Sequence, residues 1–138
     1  MHDLWLPGGV RTEIRLTGED TAGAFTLLVD EAPPGWELPP HRHLVESETI
    51  HVTGGTMWLA LGGEDERMEV PAGSTVHLPP GLLHAGGTAG DEPLERVVIF
   101  SPAGIEEFFA AIGQESQDAQ IDGPELLRLA GEYGWEFS

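Results

Sequence analysis

Pro39-Pro40-His41-Arg42-His43-Leu44-Val45-Glu46-Ser47-Glu48 is the stretch that decides how the rest of the chain is read. Two histidines one residue apart point to the same face of a β-strand, because side-chain direction there repeats every second residue. The paired prolines restrict the backbone before His41 to extended conformations, which helps to fix the direction of both imidazoles. Glu48 follows five residues after His43, across a turn at the start of the next strand. A further histidine, His84, comes after the corner Pro79-Pro80-Gly81-Leu82-Leu83. Three imidazoles and one carboxylate converging on a point make a ligand set for a borderline divalent transition metal, with Fe, Mn, Ni, Co, Cu or Zn all acceptable. Glu46, two residues before Glu48, is a rival carboxylate that a loop could also carry inward.

Working outward, nineteen glycines and eleven prolines divide the 138 residues into short segments, as an all-β chain with many turns requires. The pattern predicts an edge strand from Thr12 to Leu16 and a second strand from Ala24 to Val29, before the histidine-bearing strand. Beyond it come strands from Glu48 to Val52, Thr56 to Leu61, Arg67 to Val70 and Thr75 to Leu78. Gly86 to Asp91 reads as a loop, and Glu95 to Phe100 as the strand that closes a barrel. Parity puts Glu48, Ile50 and Val52 on one face and Thr49 and His51 on the other. It likewise turns His77 away from the interior, and Arg42 outward toward one of the many acids. Trp36, Met57, Trp58, Phe25 and Phe100 are candidates for the cavity lining, with only one of Met57 and Trp58 able to point inward.

The character of the sequence changes at Ser101. Ser101 reads as an N-cap and Pro102 as the first helical residue, followed by Ile105, Phe108, Phe109 and Ile112 at helical spacing and Gly113 as a C-cap. Gln114 to Gln120 is a polar linker. Gly123-Pro124 opens a second helix with Leu126, Leu127 and Ala130 inward. The tail Tyr133-Gly134-Trp135-Glu136-Phe137 is expected to pack on a neighbour or on a second subunit, and the same aromatics predict a homodimer.

These positions carry a family resemblance. Gly35, His41, His43, Glu48 and Gly55, then Gly73, Pro79, Gly81 and His84, stand at the spacings of the two cupin motifs. Thr88 departs from them, standing where the second motif has Asn, at a structural position rather than at a ligand. The chain therefore resembles a single-domain cupin: a double-stranded β-helix, or jelly-roll, barrel over about residues 10–102 with one or two short helices over about 103–138. The family spacing decides for Glu48 over Glu46. The resemblance implies one divalent metal held by His41, His43, Glu48 and His84, with Glu48 also the candidate catalytic base. The flanks Gly18 to Gly23 and Ser101 to Gly104 are similar to the quercetin dioxygenase-like subgroup.

Composition bounds the partners. Twenty-four acidic residues against six basic ones give a net charge of −18, a field that repels phosphate backbones and anionic membrane surfaces. The plain reading of that charge is solubility, and attraction of a cationic substrate is the functional alternative. With no cysteine, disulfides and thiol chemistry are excluded, which fits a cytoplasmic protein. The segment Met1 to Pro7 has neither the basic region nor the apolar run of a signal peptide, and His2 is uninformative. The expected function is a metal-dependent, dioxygenase-like enzyme acting on a small, mostly apolar molecule of phenol, enol or diketone type. The alternatives are a non-redox polyketide cyclase or isomerase, and a small-molecule-binding module without turnover.

Overall fold

The computed structural model describes residues 3–63, 65–114 and 123–137. His2 and most of the expected linker 114–120 lie outside the described residues. In chain order the strands are β1 (Asp3–Leu6), β2 (Val10–Leu16), β3 (Thr26–Ala32), β4 (Glu37–His43), β5 (Ser47–Gly54), β6 (Thr56–Leu61), β7 (Met68–Pro71), β8 (Thr75–Leu78), β9 (His84–Ala89), β10 (Leu94–Ser101) and β11 (Trp135–Phe137). Among the described residues three helices accompany them: α1 (Gly18–Thr21) after β2, and α2 (Ile105–Ile112) and α3 (Gly123–Glu132) between β10 and β11. The strands form two antiparallel sheets, ordered β1-β2-β3-β10-β5-β8 and β11-β4-β9-β6-β7. Inward residues of both faces, among them Leu28, Ile50, Met57, Leu59, Val98 and Phe100, meet in one core.

This is the all-β jelly-roll expected from the sequence, and several local expectations are corrected. The Thr12–Leu16 segment is not an edge, because β1 pairs outside it with Leu4 buried. Gly86 to Asp91 is not a loop. Its first four residues continue β9, which can run between β4 and β6 because Gly86 and Gly87 have no side chains there. A Cβ at Gly87 would collide with the Trp58 indole and the Trp36 carbonyl. Gly55, one of the motif glycines, turns the chain from β5 to β6 at φ +72° against the Pro93 carbonyl, so a side chain there is both strained and obstructed.

Ser101 is not a helix cap. It ends β10, and its hydroxyl donates to the Ala24 carbonyl (2.8 Å). The helix starts instead at Ile105, where Glu106 takes over the capping work. Its carboxylate accepts from the Gly104 N–H (2.8 Å), the Gly18 N–H (2.8 Å) and the Thr26 hydroxyl (2.5 Å). The predicted stripe holds, with Ile105, Phe108, Phe109 and Ile112 all buried, and Gly113 ends the helix by donating to the Phe109 carbonyl (2.7 Å). In α3 the inward face is Leu126, Leu129 and Ala130. Leu127 is 60% exposed, because it lies a full 100° around the helix from Leu126. The aromatic tail packs on its own barrel: β11 adds to the free edge of β4, with Trp135 opposite His43 and Phe137 opposite His41. That removes the tail from the argument for a dimer.

Candidate metal centre

The prolines before His41 shape the site. Neither Pro39 nor Pro40 has an N–H to donate, so the β4–β9 ladder skips from the Leu38–Gly86 pair to the His41–His84 pair. Three residues of β4 thus span two of β9, a bulge that sets His41 directly across from His84. Gly81, at φ +82°, lets the corner before β9 fold back so that its N–H donates to the His43 carbonyl (2.8 Å). His41, His43 and His84 therefore come from one sheet, and Glu48, at the start of β5, faces them from the other. All four are buried.

The three imidazoles offer nitrogens that lie within 4.8 Å of one another. Glu48 Oε1 is 3.2 Å from His43 Nε2 and 3.5 Å from His84 Nε2. Two tautomers are set by the backbone. The Nδ1 of His41 lies 2.8 Å from the Pro39 carbonyl and that of His84 lies 3.0 Å from the Leu82 carbonyl. Each must donate there, which leaves each Nε2 with its lone pair directed at the cluster. Burial, reinforced by the neighbouring His84 and His43, pushes His41 down to about 4, so it is neutral at pH 7. For Glu48 burial works against the charged form, yet His43 and His84 outweigh it and hold the carboxyl well below its ordinary range. His84 is raised despite its burial, because Glu48 lies beside it.

These residues fit a divalent metal. Glu48 Oε1 and His43 Nε2 are buried, close together and without a hydrogen-bond partner among the described residues. A cation lying against both atoms would satisfy them together. Three imidazole nitrogens and a carboxylate oxygen are the donor set of a borderline transition ion. Glu46 is a second buried carboxylate, close enough to feel the charge of His43. Its Oε1 is unpartnered and burial raises its pKa, but it makes no ion pair with the imidazoles among the described residues. His51 and His77 face outward as parity requires, pairing with Thr75 and Thr49 across the β5–β8 ladder. Arg42 faces out toward Glu136 (3.5 Å). Thr88, in place of the motif Asn, is buried, and its N–H donates to the Trp36 carbonyl (2.9 Å).

A cavity of about 130 Å³ lies against the cluster, reached by His41, Glu48 and His84 and walled by apolar side chains. Trp36, Met57 and Phe100 line it as expected, whereas Trp58 and Phe25 do not. Alternation turns Trp58 to the outer face of its sheet, under the guanidinium of Arg67 (3.7 Å). Phe25 precedes β3 and stays at its rim, half-buried. Among the lining residues not foreseen in the sequence, three bear on the chemistry. Arg96 and Asp30 form a buried ion pair inside the barrel, and parity with Val98 and Phe100 was the available signal for Arg96. Trp135 stacks on His41 with rings 4.9 Å apart and 8° from parallel, and its indole N–H is buried without a partner. Nothing local in the tail announces that contact.

An antiparallel double-stranded β-helix with three histidines and a glutamate gathered at one end of its interior defines the class. The chain belongs to the cupin family: residues 28–100 match the cupin domain. It is similar to auxin-binding protein 1 of Arabidopsis thaliana, 35% identical over 81 residues, which is 54% of this chain and 41% of that protein. The chain spans about two fifths of the length of the curated relatives it matches. Among solved structures, KdgF from Halomonas sp. superposes with a TM-score of 0.65 at 17% identity, over 78% of this chain and 93% of that one. Oxalate decarboxylase of Bacillus subtilis, studied for its Mn(II) centres, gives a TM-score of 0.64 at 18% identity, over 75% of this chain and 28% of that one. At these identities the likeness is one of fold.

Proposed function

We propose that the chain is a metal-dependent enzyme acting on a small, mostly apolar organic molecule with oxygen donors, of phenol, enol or diketone type, with dioxygenase-like chemistry. The observation that carries it is the buried pair Glu48 Oε1 and His43 Nε2, set with His41 and His84 beside a cavity walled mostly by apolar side chains. His41, His43, His84 and Glu48 would hold the ion, which supplies Lewis acidity toward a substrate oxygen and, when redox-active, electron transfer with O2. The residues around it do the remaining work. Glu48 stays ionised inside the barrel, so it is placed to take a proton from a substrate carbon or hydroxyl. Phe108, Phe109, Trp135 and Phe137 wall the cavity and keep water from the reacting atoms.

The redox reading draws its support from the resemblance to the quercetin dioxygenase-like subgroup. The rival is a non-redox cyclase or isomerase, favoured by a donor set that accepts Zn2+ equally well. Oxygen uptake by metal-loaded protein separates them. Uptake that tracks the loss of a phenol or diketone, and depends on Fe, Mn, Ni, Co or Cu, supports the dioxygenase. Undiminished turnover under strict anaerobiosis with Zn2+ would give the protein to the cyclase or isomerase class. Tight binding without any turnover, under either atmosphere, would make it a binding module.

A further inference from the structure

The cavity holds a second polar group, two inward-facing rungs along the six-stranded sheet from the glutamate. Phe100 stands opposite Glu48, and Arg96 stands opposite Val52 and Asp30, four residues or about 13 Å further along β10. Asp30 engages one edge of the Arg96 guanidinium, with Nε–Oδ1 at 3.0 Å and Nη2–Oδ2 at 2.7 Å. The Trp36 ring lies 5.2 Å from the guanidinium carbon. That leaves one N–H on Nη2 and the two on Nη1. Among the described residues the hydrogen-bond partner of Nη1 is Met57 Sδ, at 3.8 Å, a weak acceptor. The Arg96 side chain is 11% exposed, and Arg96, Met57 and Trp36 all line the cavity. A buried guanidinium short of acceptors on its cavity side is costly to the fold and useful to a ligand.

Charge and size say which ligand. With a divalent ion held, the charges of Glu48, Asp30 and Arg96 leave the cavity with one net positive charge, inside a chain whose total is −18. A monoanion neutralises it. At about 130 Å³ the cavity is of the order that holds a single benzene-sized body, and a tricyclic flavonol is too large for it. We propose that Arg96 anchors the substrate, and that the substrate is a small monocarboxylic acid with an apolar body no larger than about one ring. Its carboxylate accepts from Nη1, and a second oxygen, hydroxyl or carbonyl, lies toward the histidine cluster. This inference rests on the metal-dependent reading of the site.

The test uses protein of measured metal content and two probes of equal shape, 4-hydroxybenzoate and 4-hydroxybenzamide, titrated by calorimetry. The acid is expected to bind about 10- to 100-fold tighter than the amide, the range of a charge-assisted hydrogen bond. The double variant Asp30→Asn with Arg96→Gln removes both buried charges together. It is expected to keep its metal and to bind the two probes alike. Equal affinities in the wild type, no binding of either probe at millimolar concentration, or a preference that survives in the double variant would each overturn the proposal. So would quercetin binding as tightly as 4-hydroxybenzoate. The wild-type comparison does not depend on the variant folding. One metal per chain without an acid preference defeats the anchoring role alone. A chain that takes up no metal defeats the metal-dependent reading and this inference together, because the cavity charge is then negative.

Discussion

Replacing Trp135 by alanine tests whether the C-terminal strand belongs to the barrel and to the site. The indole stacks on His41, meets His43 edge-on at 4.3 Å and packs on Phe108 at 5.0 Å. Truncating a core tryptophan costs about 3–5 kcal/mol, and Trp135 is only partly buried, so about 2–3 kcal/mol is expected. For 138 residues the unfolding entropy is about 0.29 kcal/mol/K, so Tm should fall by about 7–10 °C. Thermal unfolding of metal-free protein, followed by far-ultraviolet circular dichroism, reads this directly. Leu127→Ala is the control, and this exposed residue should move stability by less than about 0.5 kcal/mol. A Trp135→Ala protein that melts within about 2 °C of wild type would refute the reasoning. The tail would then not be seated on His41 in solution, and it would again be free to cover a second subunit.

Glu48→Gln keeps an oxygen donor but loses the carboxylate, so turnover should drop by about 10²–10⁴-fold, far more than metal content, when both are measured on one preparation. Metal-free protein should lose stability as pH falls through the range set by His41. Its imidazole titrates at about 4 when folded and near 6.5 when unfolded, so the contribution is complete above about 6.5 and is lost toward 4. Denaturant unfolding of wild type and His41→Gln across that range should show the difference between them shrink by up to about 3 kcal/mol with falling pH. A difference independent of pH would mean that His41 is not buried as a neutral ring.

How much of this was legible in the sequence depends on the range of the interaction. An all-β barrel around the clustered side chains follows from spacing, because His-x-His parity, the proline corner and the turn glycines act locally, and the jelly-roll itself follows from the cupin resemblance those positions carry. The exclusion of His51 and His77 follows from the same period of two. The β9 strand was hidden because Gly86 and Gly87 read as a turn, and only their close approach to Trp58 and Trp36 explains them. Ser101 and Pro102 carry good cap chemistry, but Ser101 was already committed to β10 and Glu106 capped the helix through contacts some eighty residues distant in sequence. Trp135 over His41 and Arg96 across from Asp30 are pairings of remote segments. Strand register decides them, and no local pattern encodes it.

The central claim is that His41, His43, His84 and Glu48 form a metal site. It is tested most directly by metal analysis of untagged protein beside two histidine variants. The account predicts about one divalent transition metal per wild-type chain, most of it lost in His84→Ala and kept in His51→Ala, whose ring faces outward against Thr75 (2.7 Å). A ratio near zero that added Fe, Mn, Ni or Zn does not raise, or equal loss from the two variants, would contradict it.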